Sequence, residues 1–103
     1  MRKLIRDKLS NVIPDNELEL AGSEVELQGL LRAKLFEELN ELNDSNYKDV
    51  DEYADLMEVI LTIAEIEGVT KVDIEARRIE KLYERGGFNK GLILNRGNTE
   101  WQV

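Results

Sequence analysis

Two helix-forming stretches separated by a cluster of turn residues constrain this chain more than any other feature. In the first, Leu27, Leu30, Leu31, Leu35, Leu39 and Leu42 recur at helical spacing. Ser23-Glu24-Val25-Glu26 stands at its start and reads as a capping box, with Ser23 as N-cap and Glu26 at N3. Asn43-Asp44-Ser45-Asn46 supplies turn chemistry. Asp49 suits the N-cap of a second helix, which runs through Tyr53, Leu56, Met57, Ile60, Leu61, Ile63 and Ala64 to a stop at Gly68. So short a connection favours antiparallel neighbours, and the two stretches predict a helical hairpin. The apolar residues of the second helix cover more than one narrow stripe. One neighbouring helix needs less, which predicts that a second chain packs there.

Thr70 with Asp73 opens a third helix, which uses Val72, Ala76, Ile79, Leu82 and Tyr83 and ends at Gly86-Gly87. The expected architecture is all-α: an antiparallel hairpin completed to a helical bundle by the third helix and a partner chain. All 103 residues are expected to form one domain. The flanks carry weaker signals. Lys3 to Ile13 reads as an extended entry followed by a short helix before Pro14, and residues 14–22 read as a loop. Phe88 to Leu94 reads as a short strand or an extended arm, and Asn95 to Val103 as a polar, mobile tail unless Trp101 packs on a partner.

Composition decides which chemistries remain. The chain has no cysteine and no histidine. Thiolate sites, disulfides and the commonest general base are therefore excluded. A net charge of −8 argues against a nucleic-acid polymer as partner. No apolar run is long enough to span a membrane, and the basic N-terminus lacks the apolar stretch of a signal peptide, so a cytoplasmic location is the expectation.

What remains is carboxylate chemistry, and the hairpin concentrates it. Glu38 with Glu41, and Glu52 with Asp55, each have i, i+3 spacing and so share a helix face. If the turn lies at residues 44–49, Glu41 comes level with Glu52 and Glu38 with Asp55. The two levels are then about 4.5 Å apart at 1.5 Å rise per residue. Carboxylates gathered beside an apolar face repel one another, and a hard cation such as Mg²⁺ supplies a reason to gather them. Glu37 and Glu38 also lie within reach of Lys34 on the same helix, and a chain this acidic produces short acidic patterns readily. By spacing alone, a metal site and a solvated acidic face both stand.

At these residues the chain resembles the MazG-like, all-α nucleotide pyrophosphohydrolases, a superfamily that includes phosphoribosyl-ATP pyrophosphatases and dimeric dUTPases. Its EExxE and ExxD signatures are matched by Glu37-Glu38-Leu39-Asn40-Glu41 and Glu52-Tyr53-Ala54-Asp55. Lys3-Leu4-Ile5-Arg6-Asp7-Lys8-Leu9 is similar to the KLVRDKI opening of its small members, and Arg85-Gly86-Gly87-Phe88 to their RGGF closing segment. Ser10 stands where members often carry proline, and the connection between the acidic motifs is short. The resemblance covers residues 3–94. It implies Mg²⁺-dependent hydrolysis of a nucleoside triphosphate, with modified or unwanted ones among the candidates, to monophosphate and pyrophosphate, in a homodimer or homotetramer. Phosphoribosyl-ATP hydrolysis and a non-catalytic helical oligomerisation module are the alternatives.

The resemblance implies that Glu38, Glu41, Glu52 and Asp55 hold Mg²⁺ or Mn²⁺. Glu37 and Glu38 become the catalytic candidates, with Glu37 as outer-shell base or water positioner. Lys34, Arg6, Lys8, Arg85 and Lys90 are candidates for the substrate phosphates. Each has a bland alternative: Lys34 neutralises the acidic cluster, Arg6 and Lys8 form local ion pairs about Asp7, and Arg85 and Lys90 flank a glycine helix stop.

Overall fold

The computed structural model describes residues 2–95. The anticipated tail lies outside the described residues apart from Asn95. The chain is all-helical: α1 spans Glu24–Asp44, α2 Val50–Ile66 and α3 Lys71–Arg85, preceded by two short 3₁₀ turns at Asp7–Asn11 and Asp15–Glu17. No strand occurs among the described residues, so Phe88 to Leu94 is irregular, with a tight turn closed by the Gly91 N–H donating to the Phe88 carbonyl at 3.1 Å. The backbone divides into two compact units, Met1–Lys71 and Val72–Val103.

The first unit is the hairpin. Ser23 caps α1 as its sequence position predicts, its hydroxyl accepting from the Glu26 N–H at 3.1 Å. Glu26 departs from the capping-box pattern. Its carboxylate accepts from the Gly22 N–H and from Arg2. Asp49 caps α2, its carboxylate accepting from the Asp51 N–H at 2.9 Å. Gly68 ends α2 at φ +79°, with the Val69 N–H donating to Ala64 and the Gly68 N–H to Glu65, the paired closure that a left-handed residue permits.

The turn between α1 and α2 has a feature no composition rule suggests. Asn46 and Tyr47 are both left-handed, at φ +57° and +61°. Asparagine tolerates this region, but for tyrosine it is costly. Local bonds hold it: the Tyr47 N–H donates to Leu42, the Tyr47 hydroxyl to Asn43, and the Tyr53 hydroxyl to the Tyr47 carbonyl at 3.0 Å. The last of these ties the start of α2 to the turn that follows α1.

The helices pack antiparallel. Gln28, early in α1, donates to Glu67 just past α2, while Glu38 gathers with Glu52 and Asp55 near the start of α2. Leu31, Leu42 and Val59 form the buried apolar centre, flanked by half-buried Leu27, Leu30, Leu35, Leu56, Leu61 and Ile63. Met57 is 61% exposed and Tyr53 and Ile60 are each 44% exposed. These three lie at i, i+4, i+7 and make one continuous open stripe on α2. Of the apolar surface anticipated for this helix, Leu56, Leu61, Ile63 and Ala64 are half-buried and the Tyr53–Met57–Ile60 stripe is uncovered. An N-terminal segment is joined to the hairpin by ion pairs of Arg2 with Glu26, Lys3 with Glu37 and Arg6 with Asp55, and Arg2 also pairs with Glu19 in the loop before α1.

In the second unit, α3 begins directly after Thr70 and ends where Gly86 turns left-handed at φ +80°, its N–H donating to Leu82. Arg77 with Glu80, and Arg78 with Glu75, form i, i+3 ion pairs on its surface.

Candidate metal centre

Glu37, Glu38 and Glu41 project from the middle of α1, and Glu52 and Asp55 from the first two turns of α2. The antiparallel register brings them together in two overlapping triads. In each of Glu37–Glu38–Glu41 and Glu38–Glu52–Asp55, one ligand oxygen per residue lies within 4.8 Å of the others. Glu38 belongs to both. The four residues anticipated as ligands thus fall into two triads that share Glu38, Glu41 in one and Glu52 and Asp55 in the other.

Glu38 is 4% exposed, the one buried charged residue among those described. Its Oε1 lies 3.2 Å from the Lys34 ammonium, while Oε2 has no hydrogen-bond partner. Glu52 Oε2 is likewise enclosed and unpartnered. A buried acceptor without a donor costs about 1–3 kcal/mol. Both carboxyls respond in the same direction. Burial pushes Glu38 above the ordinary carboxylate range against the pull of Lys34, and Glu41 and Asp55 add to the rise. Burial also raises Glu52, reinforced by Glu41 and Glu38. Two enclosed, unpartnered oxygens on members of a carboxylate group, in a chain without histidine or cysteine, fit a hard divalent cation.

Glu37 differs. Lys3 Nζ lies 2.6 Å from its Oε1 and Lys34 Nζ 3.6 Å from its Oε2. The Lys3 hydrogen bond holds its carboxyl below the usual range. A carboxylate so held is a weak base, and it is better suited to orienting a water than to taking its proton.

The cations fall into distinct places. Lys34 takes the neutralising position between Glu37 and Glu38. Arg6 reaches past its neighbour Asp7 to Asp55, Nη2 to Oδ1 at 2.6 Å, so the local pairing anticipated for it is replaced by a contact across the fold. Lys8 is exposed on the first 3₁₀ turn. Arg85 and Lys90 belong to the second unit, Arg85 closing α3 and Lys90 lying in the turn that Gly91 completes. Lys3 was not singled out from sequence. Its signals were the basic spacing of Arg2, Lys3 and Arg6 and its place at the head of the Lys3–Leu9 motif, and neither specifies which carboxylate each cation meets.

Beside the acidic centre lies a groove of about 380 Å³, with Leu4, Leu30 and Ala33 among its lining. Arg2, Lys3, Lys34 and Glu37 complete it, so Lys34 and Glu37 border both groove and acidic centre. No helix among the described residues is long and apolar enough to cross a membrane. Comparison with family models, curated proteins and solved structures yields no match for the chain.

Proposed function

We propose that the chain is a Mg²⁺-dependent nucleotide pyrophosphohydrolase of the MazG-like kind, cleaving a nucleoside triphosphate to monophosphate and pyrophosphate. The observation that carries this reading is the enclosed, unpartnered pair Glu38 Oε2 and Glu52 Oε2 within an all-carboxylate cluster. Glu38, Glu41, Glu52 and Asp55 would hold the ion, with Mn²⁺ as a substitute. Bound there, the ion would supply positive charge to phosphate oxygens and acidify water. Glu37, kept anionic by Lys3, orients the attacking water from the edge of the centre. Lys34 compensates charge at Glu38 and borders the groove, where it meets the phosphate chain. The groove's apolar lining from Leu4, Leu30 and Ala33 receives the nucleoside.

The open stripe of Tyr53, Met57 and Ile60 supports self-association as a homodimer or homotetramer through α2. The decisive experiment incubates the protein with a panel of NTPs and dNTPs and Mg²⁺, and measures pyrophosphate. Release from at least one nucleotide, abolished in Glu38→Gln, is expected. No release from any nucleotide would overturn the enzyme reading.

A further inference from the structure

The ion pair between Arg6 and Asp55 is unlike the other ion pairs of the N-terminal segment. Arg2 and Lys3 bind carboxylates that hold no position in the metal quartet, namely Glu19, Glu26 and Glu37. Arg6 instead occupies Asp55, which shares a triad with Glu52 and the enclosed Glu38. Its contact is a single bond from one guanidinium nitrogen, with the arginine side chain 60% exposed. It therefore holds the carboxylate without being locked in place.

We propose that Arg6 is a second resident cation of the metal-free centre, on Asp55 as Lys34 is on Glu38, and that a divalent ion taking Asp55 displaces it and loosens the segment that carries it. This inference rests on the metal reading above. The reason is electrostatic. A divalent ion and a guanidinium on one carboxylate repel each other at least as strongly as an exposed ion pair attracts. Glu38 and Glu52 would ligate the divalent ion directly, whereas Glu38 reaches Arg6 only through space and Asp55 alone bonds it, so the exchange favours the ion. Arg6 immediately precedes the 3₁₀ turn Asp7–Asn11, and its carbonyl accepts the Leu9 N–H at 3.1 Å. Loss of the Asp55 contact thus frees the start of that turn, whose Val12 and Ile13 amides also bond back to Leu9. Metal occupancy is in this way transmitted to the N-terminal segment, and a guanidinium is set free at the rim of the centre.

The test titrates Mn²⁺ into wild type, Arg6→Gln and Lys3→Gln, following free Mn²⁺ by electron paramagnetic resonance. Hydrogen exchange of the Leu9, Val12 and Ile13 amides is followed in parallel. Arg6→Gln is expected to bind Mn²⁺ roughly two- to fivefold tighter, the gain set by removing one exposed ion pair. Lys3→Gln, which removes the same charge from Glu37, is expected to change affinity less. In wild type, Mn²⁺ should speed exchange at the three amides, and in Arg6→Gln exchange should be fast with or without the ion. Equal or weaker Mn²⁺ binding by Arg6→Gln overturns the exchange, as does an equal gain in Lys3→Gln or unchanged exchange in wild type. Failure of all three proteins to bind Mn²⁺ removes the metal reading with it, so the two failures are told apart.

Discussion

Replacing Glu38 by glutamine separates a residue placed for stability from one placed for a ligand, because the two roles predict opposite signs. Glu38 is almost fully buried, and Oε2 has no donor. Glutamine keeps the shape and an oxygen for Lys34, and its NH₂ donates where carboxylates now face one another. The change relieves an orphaned acceptor worth about 1–3 kcal/mol. It weakens the i, i+4 ion pair with Lys34, worth about 0.5 kcal/mol on a helix surface. The metal-free variant should therefore be more stable than wild type by about 1–2 kcal/mol, raising Tm by roughly 5–10 °C for a chain of this size. With Mg²⁺ at a hundred times its dissociation constant, wild type gains about 2.7 kcal/mol and overtakes a variant that binds poorly. Thermal unfolding followed by circular dichroism, in chelator and again with Mg²⁺, reads both values. A variant less stable than wild type in chelator, or one that gains as much from Mg²⁺, would refute the assignment.

The pH dependence follows from the same burial. In the metal-free fold Glu38 and Glu52 keep protons that the unfolded chain has already released, so their contribution to stability declines as pH rises from the ordinary carboxylate range through their raised values. The advantage of Glu38→Gln in chelator should accordingly shrink as pH falls toward that range, and a pH-independent difference would contradict the reasoning. Leu31→Ala should cost about 2–5 kcal/mol in urea unfolding, because Leu31 sits at the centre of the small hairpin core; a loss below about 1 kcal/mol would mean that the centre lies elsewhere. Asp49→Ala should cost about 1 kcal/mol by leaving the Asp51 N–H without its cap. Met57→Glu, on the open stripe of α2, should shift the protein to a smaller species by light scattering, and an unchanged mass would reject that stripe as the self-association surface.

The hairpin was legible because its signals are local. Leucine spacing, the Ser23 and Asp49 caps and the glycine stop at Gly68 each depend on residues within a few positions, and each is realised. The levelling of Glu41 with Glu52 and of Glu38 with Asp55 follows from counting along two antiparallel helices, so the carboxylate cluster was legible too. What escaped is either long-range or idiosyncratic. Lys3 on Glu37 and Arg6 on Asp55 join a segment without periodicity to helices far along the chain, and many carboxylates compete for each cation. Tyr47 adopts a left-handed backbone against its own preference, held by a hydroxyl six residues onward. Val59 was absent from the anticipated core because its helix is apolar on several faces, and only the real partner surface decides which face is buried.

The turn with two left-handed residues has a consequence for the order of assembly. All four ligand candidates fall between Glu38 and Asp55, on either side of that turn, and the Tyr53 hydroxyl closes the connection locally. Closing so short a loop costs little chain entropy, and contacts of low sequence separation form early. The carboxylates thus come face to face as the hairpin closes, and their mutual repulsion is met at that moment. A divalent ion held there as proposed would act on the rate of folding as well as on the finished protein.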